Sequence, residues 1–382
     1  MERCNNERAR LNQIPVLYVR GDNFTVGYTI GRQFRSLIED NLSKSDYFLQ
    51  SLLPEYETVT GKELYQRNLD LCENKFPEYV KEIKGMAEGA NIPFYKLFLL
   101  NLEVFITSPA EVWSKDDIKE GNGCSSILSN GKELVLGHTE DAGPELVNNV
   151  FIVSAEIVNS SGEKIEKFTT LTYAGCLPGY TMGFNEYGFI HSVNTLYPLR
   201  TLNNKSPRSF IARSLLKAGT LEEVVTLMKD KGTGIADGFS LNACFAKTPS
   251  GVPLLYNIEV CPNNDGDESE VNVLEIQHGG TYAHCNRYLR IQTTELPKAS
   301  RSSVHRHKAI EKHPKPETLS VVREILSDRS DPDYPIFRNG DKLPDVVVTV
   351  AVGVFDIANR QWNIYTEQPN KSRPVAVLPL SF

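Results

Sequence analysis

The chain has 382 residues, 40% of them apolar and 23% charged, with a net charge of −7 at neutral pH. Such an acidic balance offers no broad basic field, which argues against nucleic acid or an anionic membrane as partner. No run of about eighteen apolar residues is present to span a bilayer. The length suits one large domain or two ordinary ones.

The charged start Met1-Glu2-Arg3-Cys4 is unlike a secretory signal. Seven cysteines (Cys4, Cys72, Cys124, Cys176, Cys244, Cys261 and Cys285) are scattered without the close spacing of a metal knuckle or redox pair. Both features point to reduced thiols and a cytoplasmic location.

From Phe24 to about Ile106 the pattern predicts helices. Val26, Ile30, Phe34 and Ile38 recur every four residues, a second helical stretch covers Lys62 to Gly89, and a third runs from Phe94 to Ile106. Ser114 to Asn122 is polar and charged, as an exposed linker would be. Beyond it the pattern turns to strands. Cys124–Ser129 and Glu133–His138 flank Asn130-Gly131, a strong hairpin signal. Further hairpins are expected around Asn159-Ser160-Ser161-Gly162 and Asn185-Glu186-Tyr187-Gly188, with more strands from Ser240 to Leu378. Two helical stretches interrupt them, near Ser209–Lys229 and Pro316–Ser327. Hairpins with grouped helices indicate an α+β fold with antiparallel sheets.

Cys124 stands where polar linker gives way to hairpin, an odd place for a core cysteine. Gly123 before it leaves the preceding carbonyl open to attack by the thiol. A cut between Gly123 and Cys124 would give Cys124 a free α-amine, whose ordinary pKa of roughly 7.7–8.0 suits a general base near neutral pH. With Asn130 and Gly131 as the two turn residues, Cys124 pairs with Gly137, and Thr139 and Asp141 fall on its side of the sheet. Asp141 could then hold the new ammonium, and Gly137 would leave room for a substrate.

Gly123-Cys124-Ser125-Ser126-Ile127 through Gly137-His138-Thr139-Glu140-Asp141 resembles the penicillin acyltransferase family of self-cleaving cysteine N-terminal-nucleophile hydrolases. So do Glu82-Ile83-Lys84-Gly85-Met86-Ala87-Glu88-Gly89-Ala90, Leu100-Asn101, Gly183-Phe184-Asn185, His284-Cys285-Asn286 and Pro335-Ile336-Phe337-Arg338, in the same order along the chain. Thr139-Glu140-Asp141 departs from the Asn-Trp-Asp of the fungal members, which points away from penicillin chemistry. Residues 137–142 are instead similar to members that release dopamine or histamine from its β-alanyl conjugate.

The resemblance implies a four-layer αββα sandwich with two antiparallel sheets. It implies a helical fragment of residues 1–123 and a β-rich catalytic fragment of residues 124–382, held together as a heterodimer. Cys124 would be the nucleophile, Asp141 would hold its amine, Asn286 would donate to the oxyanion, and Arg338 would position Cys124 or a substrate group. Ser126 and Thr139 are supporting candidates. The reaction implied is hydrolysis of a small-molecule amide, a β-alanyl or similar acyl conjugate of a biogenic amine, without cofactor or metal. Acyl transfer to another amine is the enzymatic alternative, and an uncleaved, inactive binding homologue is the alternative of another kind.

Other features carry less. A Cys–His dyad through His138, His191 or His284 is not needed if the amine is the base. His305, His307 and His313 lie in a basic stretch that reads as solvated surface rather than a zinc site. Tyr180, Phe184, Tyr187, Phe189 and Tyr197 could line an aromatic pocket but suit sheet core as well.

Overall fold

The computed structural model describes residues 10–102, 123–199, 202–263, 265–340 and 344–382. The expected linker Ser114–Asn122 and the end of the third helix beyond Leu102 lie outside the described residues.

Two sheets are stacked. The larger has eight strands in the order β1-β4-β5-β6-β7-β8-β9-β10: β1 (Val16–Gly21), β4 (Val150–Val158), β5 (Lys164–Tyr173), β6 (Met182–Asn185), β7 (Phe189–Leu196), β8 (Gly238–Phe245), β9 (Leu254–Cys261) and β10 (Glu270–Glu275). The smaller has six, β11-β2-β3-β12-β13-β14: β11 (Thr281–His284), β2 (Gly123–Asn130), β3 (Leu134–Ala142), β12 (Val348–Asp356), β13 (Gln361–Tyr365) and β14 (Ala376–Pro379). The described pairings are antiparallel except β1 on β4, which is parallel.

Alternation along the strands splits the core into layers. Leu128, Leu136, Ile152, Leu171, Met182, Phe184 and Trp362 fill the space between the sheets. On the outer face of the large sheet, Phe151, Val153 and Phe168 pack against α1 (Asn23–Gln33), α2 (Arg35–Lys44), α3 (Val59–Lys75), α4 (Pro77–Ala90) and α5 (Phe94–Leu102). Further along the same face, Phe239, Leu241 and Ile258 meet α6 (Arg208–Leu215) and α7 (Leu221–Lys229). On the outer face of the small sheet, Ile127, Val135, Val352 and Val354 meet α8 (Pro297–Ile310) and α9 (Leu319–Leu326). The expected α+β architecture, helices outside two sheets, is what the chain adopts.

Why α1 and α4 lie together is written in their glycines. A Cβ at Gly27 or Gly31 would stand 1.9 or 2.1 Å from the carbonyl oxygens of Glu82 or Met86, and one at Gly85 or Gly89 2.1 or 2.0 Å from those of Phe24 or Tyr28. The two backbones touch, so only hydrogen fits at these four positions. The expected second helix is two, α3 and α4, because Pro77 cannot continue α3 but suits the first turn of α4.

A buried ion pair joins the helices before residue 123 to the sheet after it. Arg213 on α6 reaches Glu82 on α4 (2.9 Å) and Glu166 on β5 (2.7 Å), with its guanidinium over the rings of Tyr79 and Phe168. Removing the cation leaves two carboxylates facing each other in the core. Arg213→Ala should lose about 3–5 kcal/mol of stability, read as a fall in the midpoint of urea unfolding.

Candidate active site

The β2–β3 hairpin has a register different from the expected one. Cys124 pairs with Glu140, Ile127 with Gly137 and Asn130 with Leu134. Residues 131–133 form the loop, because Asn130 is drawn to a neighbouring segment: its N–H donates to the Gly280 carbonyl (2.9 Å) and its side chain to that of Ile276 (2.8 Å). The Glu133 N–H likewise donates to Glu317 O (2.9 Å). The partner of Cys124 moves by three residues, an odd number, so the two faces of β3 exchange. Thr139 and Asp141 therefore share the helix-side face with Gly123 and Ser125, while Glu140 and His138 share the inter-sheet face with Cys124 and Ser126. The space expected at Gly137 is filled by α9, since a Cβ there would meet Val322 at 2.6 Å and Leu326 at 2.7 Å.

On the inter-sheet face the Cys124 thiol is 3% exposed. Its Sγ lies 3.8 Å from Glu140 Oε1. Glu140 Oε1 also accepts from the Tyr173 hydroxyl (2.8 Å), and Oε2 lies 3.0 Å from His138 Nε2. His138 Nδ1 is 2.7 Å from Ser126 Oγ, which donates to Asn194 Oδ1 at 2.8 Å. Asn242 continues the chain of polar groups, its amide donating to Asn194 Oδ1 at 2.7 Å. Burial pushes the thiol pKa well up, and the charges of Glu140 and Asp141 push it the same way. The thiol is therefore held protonated and needs a base to become a nucleophile.

On the other face lie the backbone of the Gly123–Cys124 junction and two arginines. Cys124 N–H donates to Asn286 Oδ1 (2.8 Å), while Asn286 Nδ2 donates to Thr195 O (2.9 Å). Arg306 donates to Cys124 O (2.6 Å), Ser125 Oγ (3.0 Å) and Asn286 Oδ1 (2.8 Å). Arg338, which pairs with Asp345, comes so near Gly123 that a Cβ there would stand 2.5 Å from its Nη1. A larger residue at 123 would have to push the Arg338 guanidinium aside. Asp141 accepts from Thr349 Oγ1 (2.7 Å), and Thr139 Oγ1 accepts from Ser125 N–H (3.0 Å). Burial pushes the Asp141 carboxyl up to about 6, against the pull of Arg338 and Arg306.

All the expected site residues thus lie around one hairpin, on two sides of it. Glu140, Tyr173 and Arg306 were not foreseen. Arg306 corrects the reading of residues 301–315 as wholly solvated: α8 turns Ser302, Ser303 and Arg306 inward. The three histidines there diverge rather than converge. His305 pairs with Asp331 and His313 with Asp328, while His307 is coupled to Cys285. His191 Nε2 donates to Gly179 O (3.2 Å) and His284 Nε2 is 3.0 Å from Glu259, so each has a partner other than Cys124. Of the five aromatics, Tyr180 shares a hydrogen bond with Thr195 Oγ1 (3.0 Å) and Tyr197 is buried. Phe184 and Phe189 are core, and Tyr187 is exposed.

A family model described as acyl-coenzyme A:6-aminopenicillanic acid acyl-transferase matches residues 128–371. The chain is 35% identical to the beta-alanyl-dopamine/carcinine hydrolase of Drosophila melanogaster over 381 residues, 98% of each chain. Among solved structures it is similar to penicillin V acylase from Agrobacterium tumefaciens, at 15% identity and a TM-score of 0.35, covering 64% of this chain and 82% of that one. The chain belongs to the acyl-coenzyme A:6-aminopenicillanic acid acyl-transferase family.

Proposed function

We propose that the protein is a self-processing cysteine amidohydrolase that cleaves β-alanyl amides of biogenic amines, those of dopamine and histamine among them. The observation that carries the substrate reading is the 35% identity to a beta-alanyl-dopamine/carcinine hydrolase along nearly the whole of both chains. Maturation begins when Cys124 Sγ adds to the Gly123 carbonyl. The C–N bond breaks, the nitrogen leaves as the α-amine of Cys124, and water hydrolyses the resulting thioester to free the Gly123 carboxylate. Two fragments, residues 1–123 and 124–382, then stay together as one unit. The buried hydrogen bonds of Arg306 to Cys124 O and Ser125 Oγ support this, because they hold the thiol-bearing residue still while the bond before it changes.

In the mature protein the free α-amine takes the thiol proton and Sγ attacks the substrate amide. Asn286 offers the amide hydrogen not given to Thr195 to the developing oxyanion. The leaving amine takes a proton back, and water resolves the acyl-enzyme to β-alanine. Asp141, next to the junction and held by Thr349, balances the charge of the α-ammonium, with Arg338, Thr139 and Ser126 supporting. The family description favours a second outcome, in which an amine resolves the acyl-enzyme and the acyl group is transferred. A cytoplasmic location belongs to the same proposal and suits the six free cysteines among the described residues.

Incubation with β-alanyl-dopamine and with carcinine, followed by chromatography, should show release of dopamine and histamine. No release, together with acylation of an added amine from a thioester, would replace hydrolysis with transfer.

A further inference from the structure

We infer that Glu140, with Tyr173 and His138 behind it, forms a cation subsite for the terminal ammonium of the acyl group. The inference rests on the hydrolase reading above and says which side chain selects its substrate.

Glu140 is 5% exposed, and a carboxylate so enclosed is unfavourable unless paired. Its partners are the Tyr173 hydroxyl, the His138 imidazole and, more weakly at 3.8 Å, the Cys124 thiol. Among the described residues no lysine or arginine forms an ion pair with it, in contrast to the arginine-lined opposite face where Arg306 and Arg338 lie. On that face the two arginines are set against Asp141 and Asp345, whereas the carboxylate on the thiol's side has neither lysine nor arginine beside it among the described residues.

Reach fits as well. In a β-alanyl thioester three bonds of about 1.5 Å each separate the carbonyl carbon from the ammonium nitrogen, which keeps that nitrogen within about 5–6 Å of the sulfur. Glu140 Oε1 is 3.8 Å from Sγ, so one charge-assisted hydrogen bond of about 2.8 Å spans the gap. Tyr173 and His138 hold the two carboxylate oxygens in place, which spares the ligand the cost of ordering them. An acyl group ending in a methyl would bury the carboxylate against carbon.

The test compares β-alanyl-dopamine with butanoyl-dopamine, in which a methyl replaces the ammonium. The wild type should favour the β-alanyl amide in kcat/KM by on the order of 100-fold or more. In Glu140→Gln that ratio should fall to within about five-fold, chiefly through KM for the β-alanyl substrate. A wild type that does not discriminate overturns the inference, whether or not the variant folds. So does a variant in which both substrates fall by one common factor, which would assign Glu140 to the thiol or the α-amine instead. If the wild type frees dopamine from neither amide, it is the hydrolase reading that has failed.

Discussion

Cys124→Ala is expected to leave the chain in one piece and without activity. On a denaturing gel the wild type should run as two bands, of about one third and two thirds of the 382-residue chain, and the variant as one. The loss of turnover should be on the order of 10⁶-fold, as for other enzymes stripped of their nucleophile. Both effects come from one atom, because Sγ is proposed to open the Gly123–Cys124 bond and then the substrate. The fold should survive, since alanine keeps the strand and removes a thiol with little exposed surface. Near-UV circular dichroism close to that of the wild type would show it. Activity persisting in the variant, or a wild type that remains a single chain while turning over, would refute the mechanism.

Arg306→Ala should rank second. The guanidinium serves Cys124 O, Ser125 Oγ and Asn286 Oδ1 at once, and it draws down the Asp141 carboxyl that burial pushes up. Alanine leaves the Cys124 carbonyl without its donor and frees the asparagine that holds Cys124 N–H. Processing and turnover should each slow by about 10²–10³-fold, the size of effect that follows misplacement of a reacting group by about an ångström. Arg306→Lys should recover only a small part, because an ammonium cannot serve three acceptors arranged for a planar fork. Rates measured on a time course of band cleavage would decide.

What could be read from the sequence follows physical lines. Most helices and every strand but β1 showed because their periodicity is apolar, as in Val26, Ile30, Phe34 and Ile38, all in the helix-side core; β1 (Val16–Gly21), the parallel edge strand, was missed. The nucleophile candidate showed because the pattern changes at Gly123-Cys124. Helix α8 did not show, since most of its inward face is polar, Ser302, Ser303 and Arg306, with apolar Ala309 and Ile310 only at its end, and so short an apolar stretch has no hydrophobic period to detect. The hairpin register failed for another reason. Asn130-Gly131 is a turn signal, but the hydrogen bonds that set its length come from Gly280, Ile276 and Glu317, all far along the chain. Glu140 then lay in plain view, in the Thr-Glu-Asp that departs from the fungal pattern, yet the expected register turned it away from the thiol.

Strand β1 lies at the edge of the large sheet, hydrogen-bonded to β4, and Arg10 donates to the carbonyls of Thr366 and Arg338 in or beside the small one. Residues before the junction are thus woven into both sheets. Once the junction is cut, the same contacts hold together two molecules rather than one, and mass action enters: dilution favours separation of the pieces, and the melting temperature of the mature form becomes dependent on protein concentration. The uncut precursor has no such dependence. The proposed maturation would therefore also make refolding a second-order event, so a protein assembled once as a single chain would reassemble slowly, if diluted, after losing its structure.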